Sequence, residues 1–335
     1  MKHLLVIFSI FISCILMGGY DPVLINAIAH DKSRIIGETR GARAMERFHV
    51  VDQCGTPVEN ANVSGVFWPN STTPNNYSTI DILTDKSGEC VVVGETRNRF
   101  RYQITKTGYY TTTGCILYLD STNVPAINNG KWQPYGSIRE ITLKKIKAPV
   151  RMPFLQYETI QAPVLGQWLG FDLEKYKWTP PYGDGIHPDI LVRFTLDVKH
   201  PRKDFLAAMD ICFTNNPYAG MYVLKKDKDS DMKSVYNANS NAVYTTGQSY
   251  VLERRPPRYK KVVQLGEDEY IVYRTRTKID DKGNLISAHY GKIYGPWTFY
   301  KSMRAEAMYF NPIPNDTNLE DEEILLQAQR MRGGR

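Results

Sequence analysis

The chain has 335 residues, 42% hydrophobic and 23% charged, so it can build cores over most of its length, and general disorder is excluded. At roughly 100–200 residues per domain its length predicts two domains, and only one apolar run approaches spanning length, which excludes a polytopic membrane protein. Lys and Arg total 42 against 35 Asp and Glu, a formal charge of +7, which favours anionic partners over cationic ones.

Lys2 and His3 precede the apolar run Leu4 to Met17, and Gly18-Gly19 follows. A short basic start and an apolar stretch of this length predict a secretory signal peptide over 1–19. The run is shorter than a normal transmembrane helix. Phe11-Ile12-Ser13-Cys14 resembles a loose bacterial lipobox, in which Cys14 would carry the lipid. Phe at its first position and Ile15-Leu16-Met17 after the Cys depart from that pattern. Lipidation at Cys14, ordinary cleavage and an uncleaved anchor are the alternatives. The expected address is secreted or cell envelope, periplasm or outer surface, with membrane contact only through this segment or a lipid. Residues 20–45 mix Asp, Gly, Ala, Arg and Lys with no sustained period and read as a tether.

From Phe48 the texture becomes strand-like. Phe48-His49-Val50-Val51 precedes the turn Gln53-Cys54-Gly55-Thr56-Pro57. Thr84-Asp85-Lys86-Ser87-Gly88 is a second turn, before the β-rich Val91-Val92-Val93. Arg101 to Thr105 runs into the turn at Gly108, and Ile141 and Leu143 alternate within Ile138 to Ile146. Trp68 to Ile80, rich in Asn, Ser, Thr and Pro, reads as a long loop. Short strands separated by regular turn signals predict a β-sandwich over 46–148.

Three motifs in this stretch carry a family resemblance. Val50-Val51-Asp52, Gly55-Thr56-Pro57-Val58 and Ala61-Asn62-Val63 resemble the opening of the carboxypeptidase regulatory-like domain. The Thr84-Asp85-x-x-Gly88 turn and the Lys106-x-Gly108-Tyr109 ending resemble its second and third hallmarks, in the same order, over residues 47–147. The resemblance implies an immunoglobulin-like or transthyretin-like sandwich. It also implies a non-catalytic module with a structural or adhesive role, not a peptidase.

Five Cys are too few for a disulfide scaffold. Export would permit one bridge among Cys54, Cys90 and Cys115, with buried free thiols as the alternative. There is no C-x-x-C spacing, and no cofactor is expected.

Ala148-Pro149-Val150-Arg151-Met152-Pro153 reads as a short extended linker. Residues 149–318 predict a second, antiparallel β-rich domain with long loops. Its strands include Asp189 to Val198, Glu269 to Lys278, Leu285 to Tyr294 and Ala305 to Phe310. Asp280-Asp281-Lys282-Gly283-Asn284 is a hairpin turn between two of them. Ala207 to Phe213 can be strand or short helix. Residues 319–335 read as a helical or disordered tail. The overall class is therefore mainly β.

Trp168, Tyr176, Trp178, Tyr182 and Trp297 surround turns rich in Gly and Pro. A sugar ring offers an apolar face to Trp and Tyr while polar neighbours bind its hydroxyls, so these five are the candidate glycan-binding residues. Filling the core is the competing use of the same rings. Asp184, His187 and Asp189 lie close in sequence and carry acid–base or metal-ligand chemistry, but as turn residues beside Gly they match no known signature. Asp227 to Asp231 resembles the start of a calcium loop, yet Met232 stands where that loop needs Gly and Ala238 where it needs a carboxylate. The dense basic run Arg254-Arg255-Pro256-Pro257-Arg258-Tyr259-Lys260-Lys261 suits either a polyanion patch or a solvated edge strand. No nucleic-acid motif accompanies it.

These readings predict an exported, non-catalytic bacterial cell-envelope protein with a structural or ligand-binding role, its partner a glycan or an envelope protein. An exported enzyme acting on glycans or peptides and a structural assembly subunit are the alternatives.

Overall fold

The computed structural model describes residues 31–68, 78–120, 122–213 and 218–326. The segment expected to be a signal peptide, 1–19, and Cys14 lie outside them. The fold is mainly β, as expected. The chain divides into two compact units, one ending at Lys145 and the other beginning at Ile146.

The first unit opens on helix α1 (Lys32–Arg40), capped by Asp31, whose carboxylate accepts from Ser33 N. Its strands are β1 (Ala42–Asp52), β2 (Asn62–Phe67), β3 (Ser78–Leu83), β4 (Glu89–Thr96), β5 (Arg99–Thr105), β6 (Thr112–Leu117), β7 (Ile127–Asn128), β8 (Lys131–Trp132) and β9 (Ser137–Leu143). One sheet runs β4-β1-β8-β7 with β9 also on β1, and the other runs β3-β2-β5-β6. Strand β9 lies parallel to β1, so the first sheet is mixed. Phe48, Val50 and Val92 of one sheet pack with Val63, Phe67, Phe100 and Ile104 of the other in a single core. This is a sandwich, with period-2 alternation supplying each inner face.

Residues 32–45 differ from the expected tether. Asp31 Oδ2 accepts from Ala126 N at 2.7 Å, and Gly37 is buried against Ile127 and Trp132. Ala42 and Ala44 are small enough to begin the inner face of β1. Polar composition hid this because α1 exposes Ile35 and Ile36 and anchors through its cap and one glycine.

The turn motifs have local physical causes. Asp52 Oδ1 accepts from Cys54 N and Thr56 N, and Lys145 pairs with its other oxygen at 2.7 Å. Thr84 Oγ1 donates to Val58 O at 2.6 Å and accepts from Ala61 N at 2.8 Å. Asp85 Oδ1 accepts from Ser87 N and Glu89 N, closing the turn that Gly88 completes. No bridge joins Cys54, Cys90 and Cys115: they are free thiols. Cys54 sits exposed in a turn, Cys115 is exposed on β6, and Cys90 faces the core from β4.

The second unit comprises β10 (Phe154–Gln156), β11 (Ile160–Gln161), β12 (Trp168–Asp172), β13 (Lys177–Trp178), β14 (Ile190–His200), β15 (Asp204–Phe213), β16 (Gly220–Lys225), β17 (Gly247–Arg255), β18 (Tyr259–Val263), β19 (Glu269–Ile279), β20 (Leu285–Tyr294), β21 (Thr298–Phe299), β22 (Ser302–Arg304) and β23 (Ala307–Phe310). Ala207 to Phe213 is thus strand, within β15. A six-stranded sheet runs β13-β12-β14-β15-β17-β18, a five-stranded sheet β10-β23-β20-β19-β16, and a small sheet β11-β22-β21. Every ladder among them is antiparallel.

The main core lies between the two large sheets. Val192, Phe194, Met209 and Ile211 face Ile271, Tyr273, Ile293 and Phe310 across it. The five-stranded sheet is buried on its other face too, where Tyr270, Val272, Tyr290 and Tyr309 pack under Met152, Ala238, Tyr244 and Leu319. Burial on both faces explains why β19 is apolar or aromatic at successive positions. The expected tail is partly built in. Leu319 is fully buried, Glu320 accepts from Lys147 N and Ala148 N, and Asp321 bridges to Val150. A short helix follows over 322–326.

Candidate functional site

The alternation that buries Val192, Phe194, Met209 and Ile211 turns Arg193 and Asp210 outward. The antiparallel register then aligns four side chains across four strands: Trp168 of β12 opposite Arg193 of β14, Arg193 opposite Asp210 of β15, and Asp210 opposite Ser249 of β17. The Arg193 guanidinium lies 4.7 Å from the centre of the Trp168 ring. Its Nε and Nη2 donate to Asp210 Oδ2 at 3.1 and 2.9 Å, and Ser249 Oγ donates to Asp210 Oδ1 at 2.6 Å. Both carboxylate oxygens of Asp210 are thereby engaged. Trp168 remains 44% exposed, although it is a large ring on a sheet face.

Tyr182 lies beside this row. It is 43% exposed, and its hydroxyl is 3.4 Å from Oε1 of Gln167, the residue before Trp168. The loop that carries it is held from below by Asp172. That carboxylate accepts from Glu174 N and Lys175 N on one oxygen and from Ile186 N and His187 N on the other. Burial pushes the Asp172 carboxyl up, but the four backbone donors outweigh it and hold it below the usual range. A Cβ on Gly183 would stand 2.3 Å from Trp178 O, so the Gly-rich stretch is a close-packed turn.

The other three predicted aromatics do not join the surface. Trp178 is 8% exposed, meets Phe171 and Phe194 edge-on, and donates from Nε1 to Gln161 O at 2.8 Å. Trp297 is 1% exposed in the main core, near Tyr250. Tyr176 is half-buried, with its hydroxyl 2.7 Å from Pro153 O and 3.1 Å from Met308 O, which ties its loop to the five-stranded sheet. None of these three presents a ring face to a ligand. Burial decides the matter: ring size makes the core the better place for a Trp unless a strand edge or loop holds it out.

The acid–base candidates are likewise separated. Asp184 is exposed and pairs with Lys177 at 2.8 Å, which holds its carboxyl below the usual range. Asp189 is fully buried and bonds Leu173 N, Thr275 and Arg276. His187 is exposed. Asp227 accepts from Asp229 N and Ser230 N as an ordinary turn residue does. Among the described residues no group of three or more His, Cys, Asp or Glu is placed to hold a metal ion.

The first unit has a pocket of ≈ 340 Å³ lined by Glu46, Tyr118, Gln133 and Arg139 among others. Its acid and base are already spent on each other, since Glu46 Oε2 accepts from Arg139 Nε at 2.9 Å and Ser137 Oγ at 2.6 Å. The outward row of the second unit pairs its charges in the same way, but does so beside an exposed Trp168 ring. It offers an exposed indole next to a rigid cation–carboxylate pair and a hydroxyl. That arrangement can stack on a ring and hydrogen-bond its edge, with the Ser249 hydroxyl on an Asp210 carboxylate that Arg193 already binds. Arg193, Asp210 and Ser249 were not legible as site residues, because their alignment depends on the register among β14, β15 and β17, which no single residue marks.

No protein-family model matches the chain, and no curated protein does. Among solved structures it is similar to 3-chlorocatechol 1,2-dioxygenase of Rhodococcus opacus, with a TM-score of 0.25 and 15% identity over 32% of this chain and 62% of that one. Catechol 1,2-dioxygenase of Acinetobacter radioresistens gives 0.24 and 15% over 32% of this chain and 53% of the enzyme. A streptococcal ancillary pilin gives 0.21 and 9% over 84% of this chain and 62% of the pilin. The chain spans less than two thirds of each of these proteins, and none of these similarities bears on what it does.

Proposed function

We propose that the protein is an exported, non-catalytic component of the bacterial cell envelope whose second unit binds a glycan on the outward face of its six-stranded sheet. The observation that carries the reading is the row Trp168–Arg193–Asp210–Ser249. An aromatic ring 44% exposed on a flat sheet face is costly to leave in water, by roughly 25 cal/mol for each Å² of apolar surface. Its neighbours are polar groups locked in one geometry, so a sugar that stacks on the indole meets donors and acceptors that need no reordering. Tyr182 adds a second exposed ring at the same edge. The apolar start of the chain supports export, and the first unit serves in this reading as a spacer.

The test is titration of the purified protein with a panel of polysaccharides, read by intrinsic Trp fluorescence and calorimetry. Saturable binding that Trp168→Ala abolishes, with the melting temperature unchanged, is the expected result. Binding that Trp168→Ala leaves intact, or no binding across the panel, would remove the sheet face as the site.

A further inference from the structure

Two hairpins, distant in sequence, share one end of the six-stranded sheet. The β14–β15 turn carries Lys199, Arg202 and Lys203, and the β17–β18 hairpin carries Arg254, Arg258 and Lys260, all exposed. They are adjacent because β15 pairs with β17, putting Phe205 opposite Arg254. Arg254 Nη1 donates to Arg202 O at 3.3 Å, and its guanidinium lies 6.0 Å from the Phe205 ring. Lys260 stands opposite Arg254 in the next ladder.

The acidic residues at this end cancel only part of this charge. Asp197, Asp204 and Glu253 all converge on a seventh cation, Arg255, at 3.7, 2.7 and 3.1 Å. These seven cations and three carboxylates leave the tip a net charge of +4. Like charges this close repel one another and raise the cost of the folded state, unless a counter-charge is present.

We infer that this paired hairpin tip binds the anionic groups of an acidic polysaccharide. The inference rests on the glycan reading and names the class of glycan. A lipid surface is the weaker partner. Interfacial binding draws on buried apolar area as well as charge, and the two turns read Lys-His-Pro-Arg-Lys and Arg-Pro-Pro-Arg-Tyr, with one aromatic and no large aliphatic side chain. Single-stranded nucleic acid asks for successive stacking rings, and the tip has Tyr259 alone. Lys199 lies six residues along β14 from Arg193, about 20 Å at ~3.3 Å each, while Arg254 and Lys260 share the face of the sheet that carries Phe205, so the tip is a site apart from the Trp168 row.

The experiment compares sodium alginate, a polyuronate, with neutral dextran at low and high salt, using the whole protein, Trp168→Ala and the double variant Arg258→Ala/Lys260→Ala. Both tip residues are exposed, so the double variant keeps the parent melting temperature. The expected result is that alginate binds more tightly than dextran, that salt weakens it, and that the double variant lowers alginate affinity about 25-fold at low salt, from ~1 kcal/mol per cation at an anionic surface. Alginate bound no more tightly than dextran, or unaffected by the double variant, would overturn the inference and leave the sheet-face reading standing. Loss of alginate binding in the double variant but not in Trp168→Ala would keep the tip and overturn the sheet face. Displacement of alginate by a DNA duplex or by phosphatidylglycerol vesicles at equal charge would overturn the assignment to a polysaccharide.

Discussion

Arg276 meets Asp189 fork to fork, with Nε 2.9 Å from Oδ1 and Nη2 3.0 Å from Oδ2. Asp189 is on the loop leading into the six-stranded sheet and Arg276 on β19 of the five-stranded sheet, so the pair clips the two layers together. Arg276 also reaches Asp172 and Glu174, and it lies over the Phe310 ring at 4.5 Å. Its backbone is in the left-handed region, φ 50°, at a break in the β19–β20 register, which is what turns the side chain toward these acids.

Arg276→Met is expected to destabilise the second unit by about 3–5 kcal/mol, because it strands the buried carboxylates of Asp172 and Asp189. Arg276→Lys will not restore the loss, since an ammonium cannot make the two-pronged contact. Urea unfolding measures both; a cost under about 1 kcal/mol for either would show that the clip is dispensable.

The two tryptophans that flank the β12–β13 turn will behave in opposite ways. Trp168→Ala should change stability by less than about 0.5 kcal/mol, as exposed positions do. Trp178→Ala should cost about 3–5 kcal/mol, through the cavity it leaves beside Phe171 and Phe194 and the lost bond to Gln161 O. Chemical denaturation of the two variants side by side checks the contrast.

Asp321 gives the second unit a pH dependence of unusual sign. Burial raises its carboxyl to about 6, with Lys292 across the sheet pulling it back down. Tyr309 faces the same space, and Glu323 on its own segment adds to the rise. A folded value above the unfolded one means that the folded state holds the proton more tightly. The contribution is full below about pH 4 and is lost as pH rises through about 6, by roughly 3 kcal/mol in all. Asp321→Asn should therefore gain melting temperature relative to the parent above pH 6 and lose that advantage near pH 4. Parallel melting curves across that window would sink the assignment.

Gly88→Ala probes the turn that Asp85 closes before β4. Gly88 has φ 74°, and a Cβ there would stand 2.4 Å from Val50 O, while Val50 N donates to Gly88 O at 2.8 Å. The strain and the backbone contact together should cost about 2 kcal/mol or more, measurable as a lowered midpoint for the first unit. An unchanged midpoint would mean that the turn relaxes freely.

Thiol labelling separates the cysteines of the first unit. Cys90 is buried, and desolvation pushes its thiol up to about 11, so its reactive thiolate is scarce at neutral pH. Cys54 and Cys115 are exposed. The folded protein should label at Cys54 and Cys115 and spare Cys90 until it unfolds, as peptide mapping would reveal.

The class of the fold and several of its parts were legible in the amino-acid order, because their causes are local. Partial period-2 alternation marks β14, and successive apolar and aromatic residues mark β19, whatever partners they take. The Asp280 carboxylate accepting from Lys282 N and Asn284 N makes the hairpin turn within five residues. Asp85 likewise closes its turn on its own neighbours, Ser87 N and Glu89 N. Tertiary structure decided what those periods leave open. It sent Trp178 and Trp297 into the core and kept Trp168 out, since the same indole suits either place until the opposing layer exists. It folded α1 onto Trp132 where composition suggested a tether. It aligned Trp168 and Ser249 with the hairpin pair Arg193–Asp210, and set Arg202 beside Arg254, because register between strands is chosen by the packing of whole faces and leaves no mark at any single residue.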